Sequence, residues 1–513
     1  MGTTTLPDVL PDGLVAVVKR DCETCQTIVP VLEQLADGPG LTVFTQDDPG
    51  FPASLPAIHD ADLGVSWRHG IETVPTLLRI VDGTEVDRTF GWARADWEEL
   101  TGVAGLGEGL PAMRPGCGSM SVDPDRVDAL RALHDGGVLR SRRIEVAEAE
   151  DPIEMMFDRG WSDGLPVVPP TPERVMAMLT GTTRAPDEIV ATVPPDLIDA
   201  TVEKVAIAAV MAGCEPEYLP WVLTAVEAAC NDEFNMHGLL STTMPVGPVI
   251  VCSGTGTRRI GMNSGINALG QGNRANSTIG RALQLLVRNV GGGRPGEIDR
   301  ATHGGPGKVG FCFAEDDVAS PIGTLAGAFG VEPGVDAVTL FAGEGPRCIW
   351  DQLSRTPESL AGTLAHQLQA LHHHKLVYVY DAILVLGPEH ARVFADAGWD
   401  RDRIVFELHL RLTTPVTELV RGAGGIAEGM PPNVFDLFDE TATDDTATDE
   451  TGSGSSGEAG DGEAAPPPAL PKFRPEGLML AFAGGGAGLF SALIGGWVNG
   501  NLGSHPVTRT VRY

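Results

Sequence analysis

The feature that most constrains the fold is a pair of cysteines placed directly after a short apolar run near the N-terminus. Residues 14–19 (LVAVVK) are typical of a buried strand, and Cys22 and Cys25 follow in the tetrad CETC. Apolar residues at helical spacing over 27–35 then predict a helix. A CxxC motif between a strand and a helix is far more specific than two nearby cysteines alone, and it indicates a redox dithiol.

This position also explains how the two cysteines could react. Cys22 stands where the helix begins, so unpaired backbone amides and the helix dipole favour its thiolate. Such an environment can lower a thiol pKa from about 8.5 to near 7, which makes Cys22 a nucleophile at cellular pH. Cys25 lies one turn further along and can attack a mixed disulfide on Cys22 to release the product.

The rest of the first hundred residues contains a predicted strand, a hairpin and a helix. Strands are predicted over 41–44, 77–81 and 85–90, and a closing helix over 92–100. Asp82 and Gly83 form the Asp-Gly turn that joins the last two strands. The triplet Val74-Pro75-Thr76 immediately precedes that hairpin. The resulting order is βαβ followed by ββα.

Together, the CxxC motif, the Pro before the hairpin and the closing helix resemble the thioredoxin superfamily over residues 10–105. The resemblance implies that Pro75 is cis and lies beside the dithiol, and that the backbone of Val74 pairs with an incoming substrate. The tetrad departs from the usual CGPC, and Arg20-Asp21 stands where a Trp is usual. Two packed thiols without turnover and a metal-carrying CxxC are the alternatives to a redox dithiol.

The charge composition narrows the range of partners. Asp and Glu number 69 against 36 Lys and Arg, a formal charge of −33, with five Lys in the whole chain. Such a surface repels nucleic acid and anionic lipid, so we expect neither as a partner. The acid excess resembles proteins of salt-loving microbes, while the shortage of Lys also fits a GC-rich genome. We expect a cytoplasmic protein, because the N-terminus has neither a basic start nor an apolar core.

The region that follows is predicted to be a larger α/β domain with glycine-rich loops. Its richest stretch, 252–317, concentrates arginines in an otherwise acidic chain and places Asn273 just before a predicted helix. One interpretation is a site for an anionic small molecule, a carboxylate or phosphate, bound by Arg258, Arg259, Asn273 and Arg274. The alternative is that the glycines serve tight turns and the arginines pair with local acids.

Two further cysteines are candidates for a second reactive centre. Cys117, in the glycine-rich segment RPGCGSM, is a candidate for exchange with the dithiol. Cys312 has His303 upstream and Glu315 downstream, an arrangement that can activate a thiol nucleophile, although a strand cysteine between two Phe is more often core. Only Cys22 and Cys25 of the eight cysteines stand at CxxC spacing, so no structural zinc site is predicted. No cofactor is predicted either.

These predictions define an α/β chain of several parts. Segments such as WSDGLPVVPPTPERV and GMNSGINALGQGNRANSTIGRAL resemble an uncharacterised family related to the UGSC seleno/cysteine proteins, which implies no settled reaction. The expected function is thiol–disulfide exchange with a protein or small-molecule disulfide, and the alternatives are a binding module or a Cys312-dependent hydrolase or lyase. The predicted parts are 1–105 (thioredoxin-like), 106–150 (hinge and helical linker), 151–433 (large α/β domain), 434–471 (disordered acidic linker) and 472–513 (C-terminal tail packing on the large domain).

Overall fold

The computed structural model describes residues 10–124, 126–135, 138–144, 146–147, 150–374, 376–415, 418–419 and 469–513. Helices and strands are mixed throughout, as the sequence predicts for an α/β chain. The chain divides into two compact units, residues 1–140 with 171–177, and residues 141–170 with 178–513. Among the described residues, no helix is long and apolar enough to cross a membrane.

The first unit is built on a five-stranded sheet in the order β3-β2-β1-β5-β6. The central strand β1 runs parallel to β2 and antiparallel to β5, and β5 and β6 form the predicted hairpin. Its elements are β1 (Gly13–Val18), α1 (Glu23–Thr27), α2 (Val29–Asp37), β2 (Leu41–Thr45), β3 (Ala57–His59), α3 (Gly64–Arg68), β4 (Thr73–Val74), β5 (Thr76–Val81), β6 (Thr84–Phe90), β7 (Trp92–Ala93), α4 (Arg94–Thr101), β8 (Met113–Arg114), β9 (Cys117–Gly118) and α5 (Val127–Leu130).

Burial explains why this sheet forms around β1. Every residue from Leu14 to Val18 is buried, and α2 contributes the buried side chains of Val31, Leu32 and Leu35 to the same core. Asp82 and Gly83 both have positive φ, the backbone that a tight two-residue hairpin turn requires. The predicted strands and hairpin of this unit therefore follow from local sequence.

The first unit extends beyond residue 105. Part of the segment predicted as a hinge instead forms β8, which pairs with β7, and β9, which pairs with β4. Strand β4 comes just before β5 and β7 just after β6. The two ladders therefore place residues 113–118 in the same unit as the CETC tetrad.

The second unit contains an eight-stranded mixed sheet. Its main path is β13-β12-β14-β20-β16-β19, with β15 on β20 and β21 on β14. The remaining elements of the chain are α6 (Pro152–Asp158), α7 (Pro172–Leu179), β10 (Ile189–Val193), β11 (Ile198–Thr201), α8 (Val202–Ala212), α9 (Leu219–Ala229), α10 (Met236–Ser241), β12 (Gly247–Ser253), α11 (Thr255–Arg259), α12 (Arg274–Asn289), β13 (Phe311–Ala314), α13 (Leu325–Ala328), β14 (Ala337–Gly343), β15 (Arg347–Trp350), α14 (Pro357–Gln369), β16 (Tyr380–Leu386), α15 (Pro388–Asp396), α16 (Arg401–Arg411), β17 (Thr413–Pro415), β18 (Ala469–Pro471), β19 (Leu478–Phe482), β20 (Phe490–Val498) and β21 (Val507–Thr510).

The C-terminal tail supplies three strands of this sheet. Strand β20 pairs with both β14 and β16, and β19 runs parallel to β16. The predicted acidic linker, 434–471, lies outside the described residues up to position 468. Its last three residues form β18, which pairs with β17, so a disordered linker is wrong for those three positions.

Candidate functional site

Cys22 and Cys25 lie at the junction between β1 and α1. Cys22 is the residue that caps α1, with extended backbone (φ −150°), and its Sγ accepts a hydrogen bond from the backbone N–H of Cys25 at 3.3 Å. Both side chains are buried, with 3% of Cys22 and 0% of Cys25 exposed. A sulfur thus occupies the position where Ser or Asp usually caps a helix, and it receives an N–H that would otherwise lack a partner.

The Val74-Pro75 dipeptide lies next to this pair. The Val74–Pro75 peptide bond is cis, and Cys22 Sγ lies 3.5 Å from the carbonyl oxygen of Val74. The Pro75 carbonyl accepts the N–H of Gly91 at 2.7 Å, which ties the end of β6 to the start of β5. The structure therefore brings together the two sequence signals, CETC and VPT, that lie far apart in the chain.

A third cysteine completes the cluster. Cys117 belongs to β9, where it is the direct antiparallel partner of Val74, and Gly118 is the partner of Thr73. Its side chain is partly buried and packs against the same apolar core as Cys22. Of the two candidates for a second centre, Cys117 is the one that the structure places beside the dithiol.

Cys117 belongs to residues 113–121, a segment that we call the strap. The two middle residues of the CETC tetrad, Glu23 and Thr24, bond to this segment. The Glu23 carboxylate pairs with the Arg114 guanidinium at 2.8 Å, and Arg114 also donates to the Thr27 hydroxyl at 2.6 Å. The Thr24 hydroxyl donates to the carbonyl oxygen of Pro115 at 2.6 Å. The two residues that differ from CGPC, Glu23 and Thr24, therefore both contact the strap.

Two further anchors lie on the other side of Cys117. The Lys19 ammonium donates to the carbonyl oxygen of Gly118 at 2.9 Å. The amide of Gln46 donates to the Ser119 hydroxyl at 2.6 Å and accepts the backbone N–H of Met120 at 3.0 Å. The strap is thus bonded on both sides of Cys117, although the sequence composition of this segment is typical of a flexible hinge.

The close approach of the strap requires a glycine at position 116. A Cβ at Gly116 would lie 2.3 Å from Thr73 Cγ2 and 2.9 Å from the carbonyl oxygen of Val74. Gly118, two residues on, has no atom within 4 Å of an added Cβ. Gly116 therefore permits close contact with β4, while Gly118 has no such steric role.

Hydrogen bonding concentrates negative charge on Cys22. The pKa of Cys22 is lowered to about 5, chiefly because the Cys25 thiol donates to the Cys22 sulfur, and burial opposes this change. A hydrogen bond from Cys117 and the backbone N–H groups of Cys25 and Thr24 lower it further. Among the three thiols, Cys22 is therefore the one that ionises first.

The two neighbouring thiols hold their protons more tightly. Burial, followed by its bond to the Cys22 sulfur, raises the pKa of Cys25. Burial also raises the pKa of Cys117, and again the neighbouring Cys22 adds to the effect. By comparison, burial alone raises the pKa of Cys230, in the second unit, to about 12. A buried thiol without suitable donors therefore stays protonated, and Cys22 differs because it has donors.

The other candidate, Cys312, lies in the sheet of the second unit. Its Sγ is 3.8 Å from that of Cys252, and burial raises its pKa well above the ordinary value. His303 is exposed, whereas Cys312 is buried in β13, and the two share no hydrogen bond in the described part of the chain. This arrangement favours the interpretation of Cys312 as a core residue.

The predicted anion-binding residues all have partners of their own. Arg258 pairs with Asp317, Arg259 with Asp336, and Arg274 with Glu215. The Asn273 side chain caps α12 by accepting the N–H of Asn276 at 3.0 Å. These contacts favour the alternative in which the arginines pair with local acids, and anion binding stays a prediction.

The second unit also contains a buried carboxylate, Glu315, that the sequence suggests only as a neighbour of Cys312. Burial raises its pKa to about 7, although it accepts the Ser253 hydroxyl at 2.7 Å and the N–H of Leu325 at 2.8 Å. Because Ser253 ends β12 and Glu315 follows β13, the carboxylate joins the ends of two parallel strands. Its oxygens already have partners, which indicates a structural role.

A surface cavity of about 360 Å³ in the second unit involves different arginines from those predicted. Arg288 and Arg294 line it, but so do Asp196 and Glu297. The two positive and two negative side chains balance, so the cavity has no preference for an anion on charge alone.

No group of three or more His, Cys, Asp or Glu side chains within the described ranges is arranged to hold a metal ion. Comparisons of the chain with protein-family models, with curated proteins and with solved structures found no match. The three-cysteine cluster is therefore the feature of the molecule that most directly indicates a function.

Proposed function

We propose that the first unit is a thioredoxin-like thiol–disulfide oxidoreductase, with Cys22 as the nucleophile and Cys25 as the resolving thiol. The sheet order supports this fold. The two cysteines follow β1, the central strand of the sheet, and the β5–β6 hairpin follows the cis Val74–Pro75 bond. The substrate class is a protein or small-molecule disulfide.

The observation that carries the proposal is the environment of Cys22 Sγ. It accepts the backbone N–H of Cys25 at 3.3 Å, and the Cys25 side chain is the largest cause of its lowered pKa, so the residue that stabilises the thiolate is also the proposed resolving thiol. Thiolate stabilisation by hydrogen-bond donors is what distinguishes a reactive cysteine from a packed one.

The reaction proceeds in two exchanges. The Cys22 thiolate attacks one sulfur of the substrate disulfide, a bond forms between them, and the other substrate sulfur leaves as a thiolate that takes a proton from water. Cys25 then gives up its proton and attacks Cys22 Sγ, which releases the second substrate thiol and forms the Cys22–Cys25 disulfide. The substrate gains two electrons, and an external dithiol returns the protein to its reduced form.

The alternative of two packed thiols without turnover explains less. Purely apolar packing raises a thiol pKa, as at Cys230, whereas the donors around Cys22 lower its pKa to about 5. The alternative of metal delivery would use both sulfurs as thiolates, whereas burial raises the pKa of Cys25 and favours its protonated form.

Reduction of a protein disulfide by the purified full chain, with dithiothreitol as electron donor, tests the proposal. Cys22→Ser is expected to lower the rate to that of dithiothreitol alone, while Cys230→Ser, which removes a thiol of the second unit, keeps the wild-type rate. Peptide mass mapping of the oxidised wild type is expected to give a Cys22–Cys25 disulfide. Full activity in Cys22→Ser, or no such disulfide, would contradict the proposal.

A further inference from the structure

The dithiol is covered by part of its own chain. The exposed fraction of the side chain is 3% for Cys22 and 0% for Cys25, whereas Cys117 is partly exposed. Thiol–disulfide exchange needs direct contact between the attacking sulfur and the disulfide. An external disulfide therefore meets Cys117 before it can meet Cys22 while the strap is in place.

The strap lies where an extended peptide would bind. It adds β9 as a partner strand to β4, with Cys117 opposite Val74, and pairing with a free strand edge is a general mode of peptide recognition. The edge of β4 that a substrate peptide would use is consequently occupied by a segment of this chain that carries its own cysteine.

The anchors of the strap do not come from β4 alone. Glu23 and Thr24, the two residues between the cysteines, bond to Arg114 and Pro115, and Lys19 bonds to Gly118. The same tetrad that holds the dithiol therefore also holds the segment that covers it, so Cys117 is a fixed member of the site.

We propose that Cys117 is the entry thiol of a three-cysteine relay, which passes an external disulfide from the surface to Cys22 and then to Cys25. This inference rests on the proposed exchange activity of the dithiol, and it assigns the first contact with substrate to Cys117.

Each step of the relay balances. Cys117 attacks the external disulfide, so a Cys117–substrate bond forms and the first substrate thiol leaves with the proton of Cys117. The Cys22 thiolate then attacks Cys117 Sγ, a Cys22–Cys117 bond forms, and the second substrate sulfur leaves and takes a proton from water. Cys25 finally attacks Cys22 Sγ and passes its proton to Cys117, which gives the Cys22–Cys25 disulfide and restores the Cys117 thiol.

The electrostatics of the cluster fit this order. Val74 is the direct strand partner of Cys117, and its carbonyl oxygen lies 3.5 Å from Cys22 Sγ, so this backbone pairing holds Cys117 beside Cys22 before reaction. Cys22 carries the charge, while Cys117 keeps its proton, and the thiol with the higher pKa is the more nucleophilic once ionised. Cys22 therefore has two neighbouring cysteines in the cluster, the partly exposed Cys117 and the buried Cys25, and the relay uses them in that order.

Glutathione disulfide is the probe for the test, used on the full chain in a Cys348→Ser background, which removes an exposed thiol. Cys25→Ser blocks the last step, and it is expected to accumulate a Cys22–Cys117 disulfide with no glutathione on Cys22. Cys22→Ser blocks the second step and is expected to accumulate glutathione on Cys117. Cys117→Ser is expected to slow formation of the Cys22–Cys25 disulfide on the order of tenfold or more, because the entry thiol is gone and Cys22 stays buried.

The outcomes separate the relay from the proposed function. A Cys22–Cys25 disulfide that forms in Cys117→Ser at the wild-type rate, with hydrogen exchange showing the strap amides still protected, overturns the relay and leaves the dithiol activity intact. Glutathione found on Cys22 in Cys25→Ser also overturns it. No Cys22–Cys25 disulfide in the parent Cys348→Ser protein overturns the exchange activity itself.

Discussion

Val74 and Cys117 are direct partners in an antiparallel pair, and the carbonyl oxygen of the same Val74 lies 3.5 Å from Cys22 Sγ. The backbone of Val74 thus contacts both Cys22, the proposed nucleophile, and Cys117, the cysteine of the strap. Strand β4 is followed directly by β5, a strand of the five-stranded sheet, so the pair is attached to the core of the first unit.

Gly116→Ala is expected to displace the strap. The added Cβ would lie 2.3 Å from Thr73 Cγ2, so the first unit should lose about 1–3 kcal/mol of stability, as overpacked sites do. Alkylation of Cys22 should become faster, and mass spectrometry of iodoacetamide-treated protein measures it. Gly118→Ala is the matched control, since nothing lies within 4 Å of its added Cβ. Equal alkylation rates in the two variants would show that the strap does not limit access.

Cys25→Ala is expected to raise the pKa of Cys22. The largest cause of the lowered pKa is the hydrogen bond from the Cys25 side chain, and Ala removes that donor. Cys25→Ser keeps a hydroxyl donor at the same position, so its Cys22 pKa should stay closer to that of the wild type. Thiolate ultraviolet absorbance followed against pH gives both values. Identical titration of the two variants would assign the shift to the backbone amides instead.

The contribution of Cys22 to the stability of the reduced protein is expected to increase with pH between about 5 and 9. The pKa of Cys22 is lowered from 9.0 to about 5 in the folded protein, so across this window the unfolded chain binds more protons than the folded one. The stabilisation is complete above the unfolded pKa and is lost as pH falls through the folded one. Denaturant unfolding of the wild type and Cys22→Ala under reducing conditions measures this contribution. A difference between them that does not change with pH would refute the ionised Cys22.

Lys19→Met is expected to raise the pKa of Cys117 further. The Lys19 charge favours the Cys117 thiolate, and its ammonium also donates to the Gly118 carbonyl at 2.9 Å. Loss of the charge should therefore slow alkylation of Cys117 at neutral pH. Arg20→Met serves as the control, because Arg20 pairs with Asp48 and its side chain is 68% exposed. A similar effect in both variants would point to general surface charge rather than to Lys19.

Asp163→Asn is expected to destabilise the second unit. Asp163 accepts two hydrogen bonds from Arg281, both at 2.8 Å, and the side chains are only 13% and 14% exposed. Asn keeps one acceptor oxygen and Arg281 still donates to the carbonyl oxygens of Leu165 and Pro166, but the nearly buried guanidinium loses its opposite charge, at a cost of about 3 kcal/mol. Glu215→Gln breaks the exposed pair with Arg274 and should cost below about 1 kcal/mol. Denaturant unfolding compares the two, and equal losses would contradict the special role of the Asp163–Arg281 pair.

The local elements of the first unit could be predicted from sequence. The apolar run of β1, the helix after CETC and the Asp82-Gly83 hairpin all depend on residues close together in the chain. Cys22 and Cys25 could be identified for the same reason, since a strand and a helix on either side place them at a helix start. The short strand β3 and the ladder between β4 and β9 had no comparable signal, because such short strands have too few residues to show alternation.

Sequence by itself determined the dithiol, the mixed α/β elements and the strongly acidic charge. Tertiary structure alone decided that Cys117 faces the dithiol, that Arg258 and Arg274 pair with acids, and that β20 pairs with both β14 and β16. The reason is that periodicity and turn residues encode contacts between near neighbours. Strands that lie far apart in sequence pair through N–H and C=O groups that are the same at every residue. A local stretch of side chains therefore does not show which strand is the partner.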